Sequence, residues 1–436
     1  MNIGLGPYET IYTGFERSTY MKRTLVLSGG GSRGAYEIGA WQAMEELGVK
    51  FSGVYGTSIG ALNAALVAQG DVDAAIEIWE NITVDQIVAV DEEEDFSIDR
   101  MVSRKRDVIP FLLENAKHLR MDIGPLENLV RTHIDENRIR ARGMELGVMT
   151  CKAPQLQAAP MRIGNMQPGS LADWVIASAS CFPVFPTRNI GGQRYIDGGY
   201  IDNLPIDMAL EDGADDVVAV EVHPDHTHPE YARMPWLKTV KPLHNLGGFL
   251  DFDPRLMRRS RLMGYYDAMK AWDALDGHLY TFRRVNALEI MDTAKKYAFR
   301  VAGFDGEARR RMPQLEISPL TNALEAETEL RGLDWKDVYL RGLELCAKGM
   351  GFREDALYEK SQLIGRAVNY ANGIETGGET DDQALREAAR RGSRYLTAWL
   401  YRLLEREDRY PAGLIRRLCD HPVEAAGALF LHCAAD

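Results

Sequence analysis

Thr24-Leu25-Val26-Leu27-Ser28-Gly29-Gly30-Gly31-Ser32-Arg33-Gly34 decides how this chain is read. Residues 24–27 have the composition of a short buried strand that runs straight into a glycine-rich turn. From 35 to 47, Ile38, Trp41, Met44 and Leu47 fall near one face of a helix. The succession then repeats. Residues 51–55 read as a second strand, Gly56-Thr57-Ser58-Ile59-Gly60 as a second turn, and 61–69 as a second helix. Strand, glycine turn and helix, twice over, predict an α/β sheet with parallel strands and flanking helices.

Further along, 71–142 is mostly helical in pattern and carries the acidic run Asp91 to Asp95, read as a solvated loop. Strands are expected at 146–150, 194–196 and 216–222, and helices at 171–178 and 205–211, the latter with Pro205 in its first turn. After Thr281 the Val-rich runs give way to Ala, Leu, Glu and Arg at helical spacing. The expected organisation is an N-terminal arm over 1–21, an α/β domain over 22–283 and an α-helical C-terminal domain over 284–436. Residues 373–382 form a flexible link within the last.

Bulk properties narrow the function. With 436 residues, 45% hydrophobic and 26% charged, the chain is long enough for one large domain and a smaller one. A net charge of -13 argues against nucleic acid as a partner and against general attraction to anionic membranes, though a local basic patch can override the global sign. The five cysteines, Cys151, Cys181, Cys346, Cys419 and Cys433, form no C-x-x-C pair and fit a reducing compartment. The first twenty residues do not read as a signal peptide, and no apolar run approaches the roughly 20 residues that span a bilayer. A cytoplasmic protein is expected, meeting any lipid from the water side. The oligomeric state is left open.

Three motifs carry chemistry. Gly56 to Gly60 is G-x-S-x-G between an expected strand and helix, the context in which such a turn lifts a serine hydroxyl above the strand ends. Gly29, Gly30 and Gly31 can aim backbone N–H groups at one point, as an oxyanion requires. A nucleotide phosphate loop fits less well, for neither G-x-G-x-x-G with its acidic partner nor a Walker sequence is present. Asp197-Gly198-Gly199 ends an expected strand and offers a carboxylate; alone it is an ordinary turn.

Taken in order, G-G-G-x-R-G, G-x-S-x-G and D-G-G resemble the patatin-like phospholipases. The resemblance extends to Ala177-Ser178-Ala179-Ser180 ahead of Pro183 and to Asn203-Leu204-Pro205, and covers roughly 22–281. It implies a catalytic dyad: Ser58 as nucleophile and Asp197 as base, with Gly29, Gly30 and Gly31 matching the oxyanion loop and Arg33 its basic position. The implied activity is hydrolysis of acyl esters of phospholipids or lysophospholipids through an acyl-enzyme, without cofactor or metal. The implied alternative is a regulated effector whose helical domain senses a partner or ligand.

Other readings stay open. His223 follows Asp197, in the Ser, Asp, His order of a triad. His223, His226 and His228 make H-x-x-H-x-H, a conceivable metal site or a solvated loop. Residues 255–272 mix Arg255, Arg258, Arg259 and Arg261 with Leu, Met, Tyr and Trp. That segment is expected either to face lipid, giving a peripheral membrane contact, or to pack the two domains together.

Overall fold

The computed structural model describes residues 21–89, 121–223, 228–326, 334–374 and 381–435. The acidic run 91–95, His226, almost all of the 1–21 arm and most of the 373–382 link lie outside them.

An eight-stranded sheet organises the first part of the chain, in the order β5-β6-β3-β2-β1-β7-β8 with β4 on the remaining edge of β3. Its strands are β1 (Arg23–Leu27), β2 (Gly53–Thr57), β3 (Glu145–Ala153), β4 (Gln157–Arg162), β5 (Arg188–Ile190), β6 (Gln193–Asp197), β7 (Asp216–Val220) and β8 (Leu237–Val240). Strands β3, β2, β1, β7 and β8 are parallel, whereas β4, β5 and β6 join antiparallel. Residue alternation decides which layer each side chain enters. Leu25, Leu27, Val54, Val148, Val218 and Val220 point into the larger core, while Val26, Tyr55, Met149, Val217 and Ala219 point into a smaller core on the opposite face.

Flanking helices are α1 (Gly34–Glu46), α2 (Ile59–Gln69), α3 (Val72–Asn81), α4 (Gly124–His133), α5 (Glu136–Arg142), α6 (Leu171–Ser178), α7 (Ile206–Glu211) and α8 (Pro254–Ala271). Helix α2 is buried along its whole length, so its sequence is apolar all round rather than amphipathic. Four strands were absent from the sequence reading of this part or only half seen. Strand β4 carries Pro160, which an edge position tolerates; β5 and β8 are short; and β3 runs past Thr150 to Ala153 because the β4 hairpin holds it.

The remaining elements are helical: α9 (Ala287–Arg311), α10 (Pro319–Glu325), α11 (Trp335–Gly349), α12 (Lys360–Asn372), α13 (Asp382–Arg390), α14 (Ser393–Glu407), α15 (Ile415–Leu418) and α16 (Pro422–Ala434). They share a second large core running from Leu279 to Cys433, distinct from the first, whose buried members end at Met269. One strand interrupts the helices. Strand β10 (Leu357–Tyr358) pairs in parallel with β9 (Thr281–Phe282), stitching this part to the end of the sheet-bearing part.

The arginine-rich segment 255–272 packs rather than forming a stripe of charge toward lipid. A methyl group on Gly264 of α8 would lie 1.9 Å from the Tyr36 carbonyl oxygen of α1, and one on Gly39 1.8 Å from that of Arg261. Glycine at both positions lets the two backbones touch. Met257 and Met263 are buried. Arg261 pairs with Glu80 at 2.7 Å and bonds Gln42, and Arg259 reaches the Asn245 carbonyl and Glu354. Of the four arginines, Arg255 and Arg258 are exposed and Arg259 and Arg261 are partly buried. No helix among the described residues is long and apolar enough to cross a membrane.

Candidate active site

Strand β3 assembles the site. Its register places Thr57, the last residue of β2, beside Met149, and Asp197, the last of β6, beside Thr150. Strand β4 occupies the other edge of β3, so β2 and β6 share a single edge and run toward each other. The residue after Thr57 is therefore delivered to the carboxylate that ends β6. Ser58 Oγ donates to Asp197 Oδ2 at 2.7 Å, and both residues are only 5% exposed.

Ser58 sits at φ 55 and ψ -123, a backbone conformation unfavourable for a residue with a side chain. Its neighbours leave no alternative to glycine. A methyl on Gly56 would fall 2.1 Å from the Gly60 carbonyl oxygen, and one on Gly60 2.6 Å from those of Leu27 and Ser28. Side chains brace the turn: Thr57 Oγ1 donates to the Asp202 carbonyl at 2.9 Å, and Ser178 Oγ accepts from Ser58 N at 2.8 Å while donating to the Met149 carbonyl at 2.6 Å.

Burial raises the pKa of Asp197 from 3.8 to about 6, against the lowering effect of its bonds from Gly199 N and Ser58. Gly199 N donates to Oδ1 at 2.8 Å, so that both carboxylate oxygens are held. The group is thus more basic than an ordinary aspartate yet ionised at neutral pH. Ser58 and Asp197 touch directly, with no imidazole interposed. His228, in the histidine cluster, lies beside Asp202 at 3.5 Å and Glu230 at 3.0 Å.

The glycine loop lies against Ser58: a methyl on Gly29 would come within 3.1 Å of Ser58 Cβ. Gly29 N donates to the Asn203 carbonyl at 3.0 Å, and Asn203 Nδ2 returns a bond to the Gly29 carbonyl at 3.1 Å. That reciprocal clamp engages the Gly29 N–H, which narrows the expected oxyanion donors to Gly30 and Gly31. Arg33 Nε, from the same loop, donates to the Gly247 carbonyl at 3.1 Å. Ser32 adds bonds from Oγ to the Gly248 carbonyl at 2.8 Å and from N to that of Phe249 at 2.9 Å.

A narrow cavity opens from Ser58. Apart from Ser58 itself, its walls among the described residues are apolar: Gly31, Ile59 and Leu62 near Ser58, Leu126 and Val130 of α4, Val175 and Ala179 at α6, and Phe249, Leu250 and Phe252 opposite, with Ile87 and Phe185. The sequence reading missed this cavity, the bracing by Ser178 and the Asn203 clamp. Ser178 and Asn203 stood inside quoted motifs, but nothing in their spacing disclosed what they touch.

Residues 25–210 match the family model for patatin-like phospholipases. Among curated relatives, lysophospholipase NTE1 of Cryptococcus neoformans var. neoformans serotype D is 30% identical over 202 residues, 45% of this chain and 11% of that protein. The cUMP-AMP-activated phospholipase of Escherichia coli is 33% identical over 204 residues, 44% of this chain and 58% of that protein. The match thus spans only part of each relative. The crystal structure of VipD from Legionella pneumophila aligns over 94% of this chain and 88% of its own, with 14% identity and a TM-score of 0.40.

Proposed function

We propose that the chain is a serine acyl hydrolase acting on phospholipids or lysophospholipids, with 22–283 as the catalytic domain and 284–436 as a helical domain. The observation that carries the reading is the 2.7 Å bond from Ser58 Oγ to a buried Asp197, at the mouth of an apolar cavity. A fatty acyl chain fills such a cavity, and its ester carbonyl then lies between Ser58 and the glycine loop. Ser58 Oγ attacks the carbonyl carbon as its proton passes to Asp197. The N–H groups of Gly30 and Gly31 hold the developing oxyanion. Collapse breaks the ester C–O bond, and the leaving alcohol takes the proton from Asp197. Water then attacks the acyl-enzyme with Asp197 again as base, releasing the fatty acid and restoring Ser58. No step calls for a cofactor or metal.

Names of the relatives support the substrate class, since both are called phospholipases or lysophospholipases. A second reading, regulation by a ligand or partner through the helical domain, is favoured by the contacts of Glu354, in that domain, with His244 and Arg259 outside it. The test of the enzymatic reading is labelling by a fluorophosphonate, mapped by mass spectrometry to Ser58, together with fatty acid release from phosphatidylcholine and lysophosphatidylcholine. A folded protein that takes no label and releases no fatty acid would sink it.

A further inference from the structure

Glu354 stands in the loop between α11 and β10, and the pairing of β10 with β9 fixes that loop against the sheet-bearing part. Its carboxylate lies 3.1 Å from His244 Nδ1 and 3.5 Å from Arg259 Nη2, both outside the helical part. Arg259 in turn donates Nη1 to the Asn245 carbonyl at 2.9 Å, and the Asn245 side-chain oxygen accepts from Gly247 N at 2.8 Å. From there the chain becomes a strap. The carbonyls of residues 247–249 accept bonds from Arg33 Nε, Ser32 Oγ and Ser32 N, and Phe249 walls the apolar cavity.

The geometry points to Glu354 as a positioning residue for the glycine loop, contributed by the helical part to a catalytic centre it does not touch. This rests on the serine hydrolase reading. The strap contains Gly247, at φ 94, and Gly248, and it has neither helix nor strand of its own. A turn within it is held by Gly248 N donating to Asp251 Oδ2 at 2.5 Å, and its ends are tied to neighbouring elements. Asp253 caps α8 at one end, with bonds from Arg255 N and Leu256 N. At the other end Asn245 is held by Arg259, and Arg259 is oriented by Glu354. His244 Nε2 also bonds the Leu279 carbonyl at 2.7 Å, so without Glu354 that end is loosened rather than freed, and the strap holds Ser32 and Arg33 less firmly. An oxyanion donor acts only when placed to within a fraction of an ångström, so the loss falls on turnover. A partly exposed ion pair with no such connection contributes little to anything.

The experiment uses the full chain. Glu354→Ala is expected to lower kcat on a short-chain p-nitrophenyl ester about five- to tenfold, the scale of coupling between separate sites, with KM nearly unchanged. Amide hydrogen exchange across 245–250 is expected to quicken in the same variant. Arg259→Gln, which breaks the chain of contacts from the other side, should do the same. The double variant should be no slower than the slower single one, because both act through one connection. An unchanged kcat, additive losses, or a lower kcat with unaltered exchange across 245–250 would overturn the assignment. Should Glu354→Ala fail to fold, judged by its melting curve, Arg259→Gln decides on the same readouts. A wild-type protein without turnover or fluorophosphonate labelling overturns the hydrolase reading instead, and the exchange measurement still tests the strap.

Discussion

Thr57 and Asp197 lie beside consecutive residues of one strand, Met149 and Thr150, although 140 positions of sequence separate them. Strand β2 enters parallel to β3 and β6 antiparallel, so their C-terminal ends meet on a shared edge. The Ser58–Asp197 contact is thus a property of the sheet's register, not of a flexible loop. A one-residue slip of either strand would turn its side chains to the opposite face.

Loss of either reacting group should abolish activity without unfolding the protein. Ser58→Ala is expected to lower kcat on a p-nitrophenyl ester by about 10³ or more, and Asp197→Asn by about 10²–10⁴, the range for a lost catalytic base. Circular dichroism provides the folding control. Near wild-type turnover in a folded Ser58→Ala protein would remove Ser58 from the mechanism.

The pH profile should report the carboxylate. With Asp197 raised to about 6, only the ionised form can accept the Ser58 proton. We expect kcat/KM to rise with pH through about 6 and then level, lying about tenfold below the plateau at pH 5. A flat profile between pH 5 and 8 would exclude Asp197 as the base.

Much of this was legible in the sequence, and what was not has a physical cause. Strands β1 and β7 are buried on both faces and show it as apolar runs, while β2 shows Val54 and Tyr55 ahead of its glycine turn. The glycines at 56 and 60 announce a turn because no other residue fits there. Strand β4 escaped because an edge strand needs no apolar run, and β10 because two residues make no pattern. Ser178 and Asn203 act through contacts across long separations, which spacing cannot reveal. The arginines of α8 looked alike in sequence, yet Arg259 and Arg261 differ from Arg255 and Arg258 in what surrounds them.

The same carboxylate should make the fold less stable at neutral pH. A pKa raised in the folded state means that the native protein binds this proton more tightly than the unfolded chain does. The associated stability is fully present below the ordinary value of about 3.9 and is lost as pH rises through about 6. The cost at pH 8 is on the order of 3 kcal/mol. Asp197→Asn keeps an acceptor for Gly199 N but carries no charge. Its melting midpoint is expected to exceed that of the wild type at pH 8, the difference closing toward pH 4. A variant less stable than wild type at pH 8 would contradict burial as the dominant influence on this group.

Arg33→Lys tests the loop anchor. The guanidinium donates from Nε to the Gly247 carbonyl, a geometry that a single ammonium reproduces poorly. Turnover should fall more than KM rises, since the donors that the loop positions act in the transition state. Steady-state kinetics on a short-chain ester check this, and an unchanged kcat would show that Ser32 and the Asn203 clamp hold the loop unaided.

Chain-length selectivity follows from the cavity walls. Each methylene transferred from water into an apolar cavity gains about 0.8 kcal/mol, roughly a fourfold gain in kcat/KM if the gain is kept in the transition state. A series of p-nitrophenyl esters from two to twelve carbons should therefore climb steeply until the cavity is full. Leu126 and Val130 on α4 line it away from the reacting groups, and both are buried. Val130→Phe adds bulk inside the cavity, so the climb should stop at a shorter chain, while the two-carbon ester, too short to reach α4, is turned over as before. If Val130→Phe lowered kcat/KM equally for every ester, the side chain would be acting on Ser58 or the loop and not on the acyl chain. If the wild type showed no climb at all, the cavity would not be the acyl site.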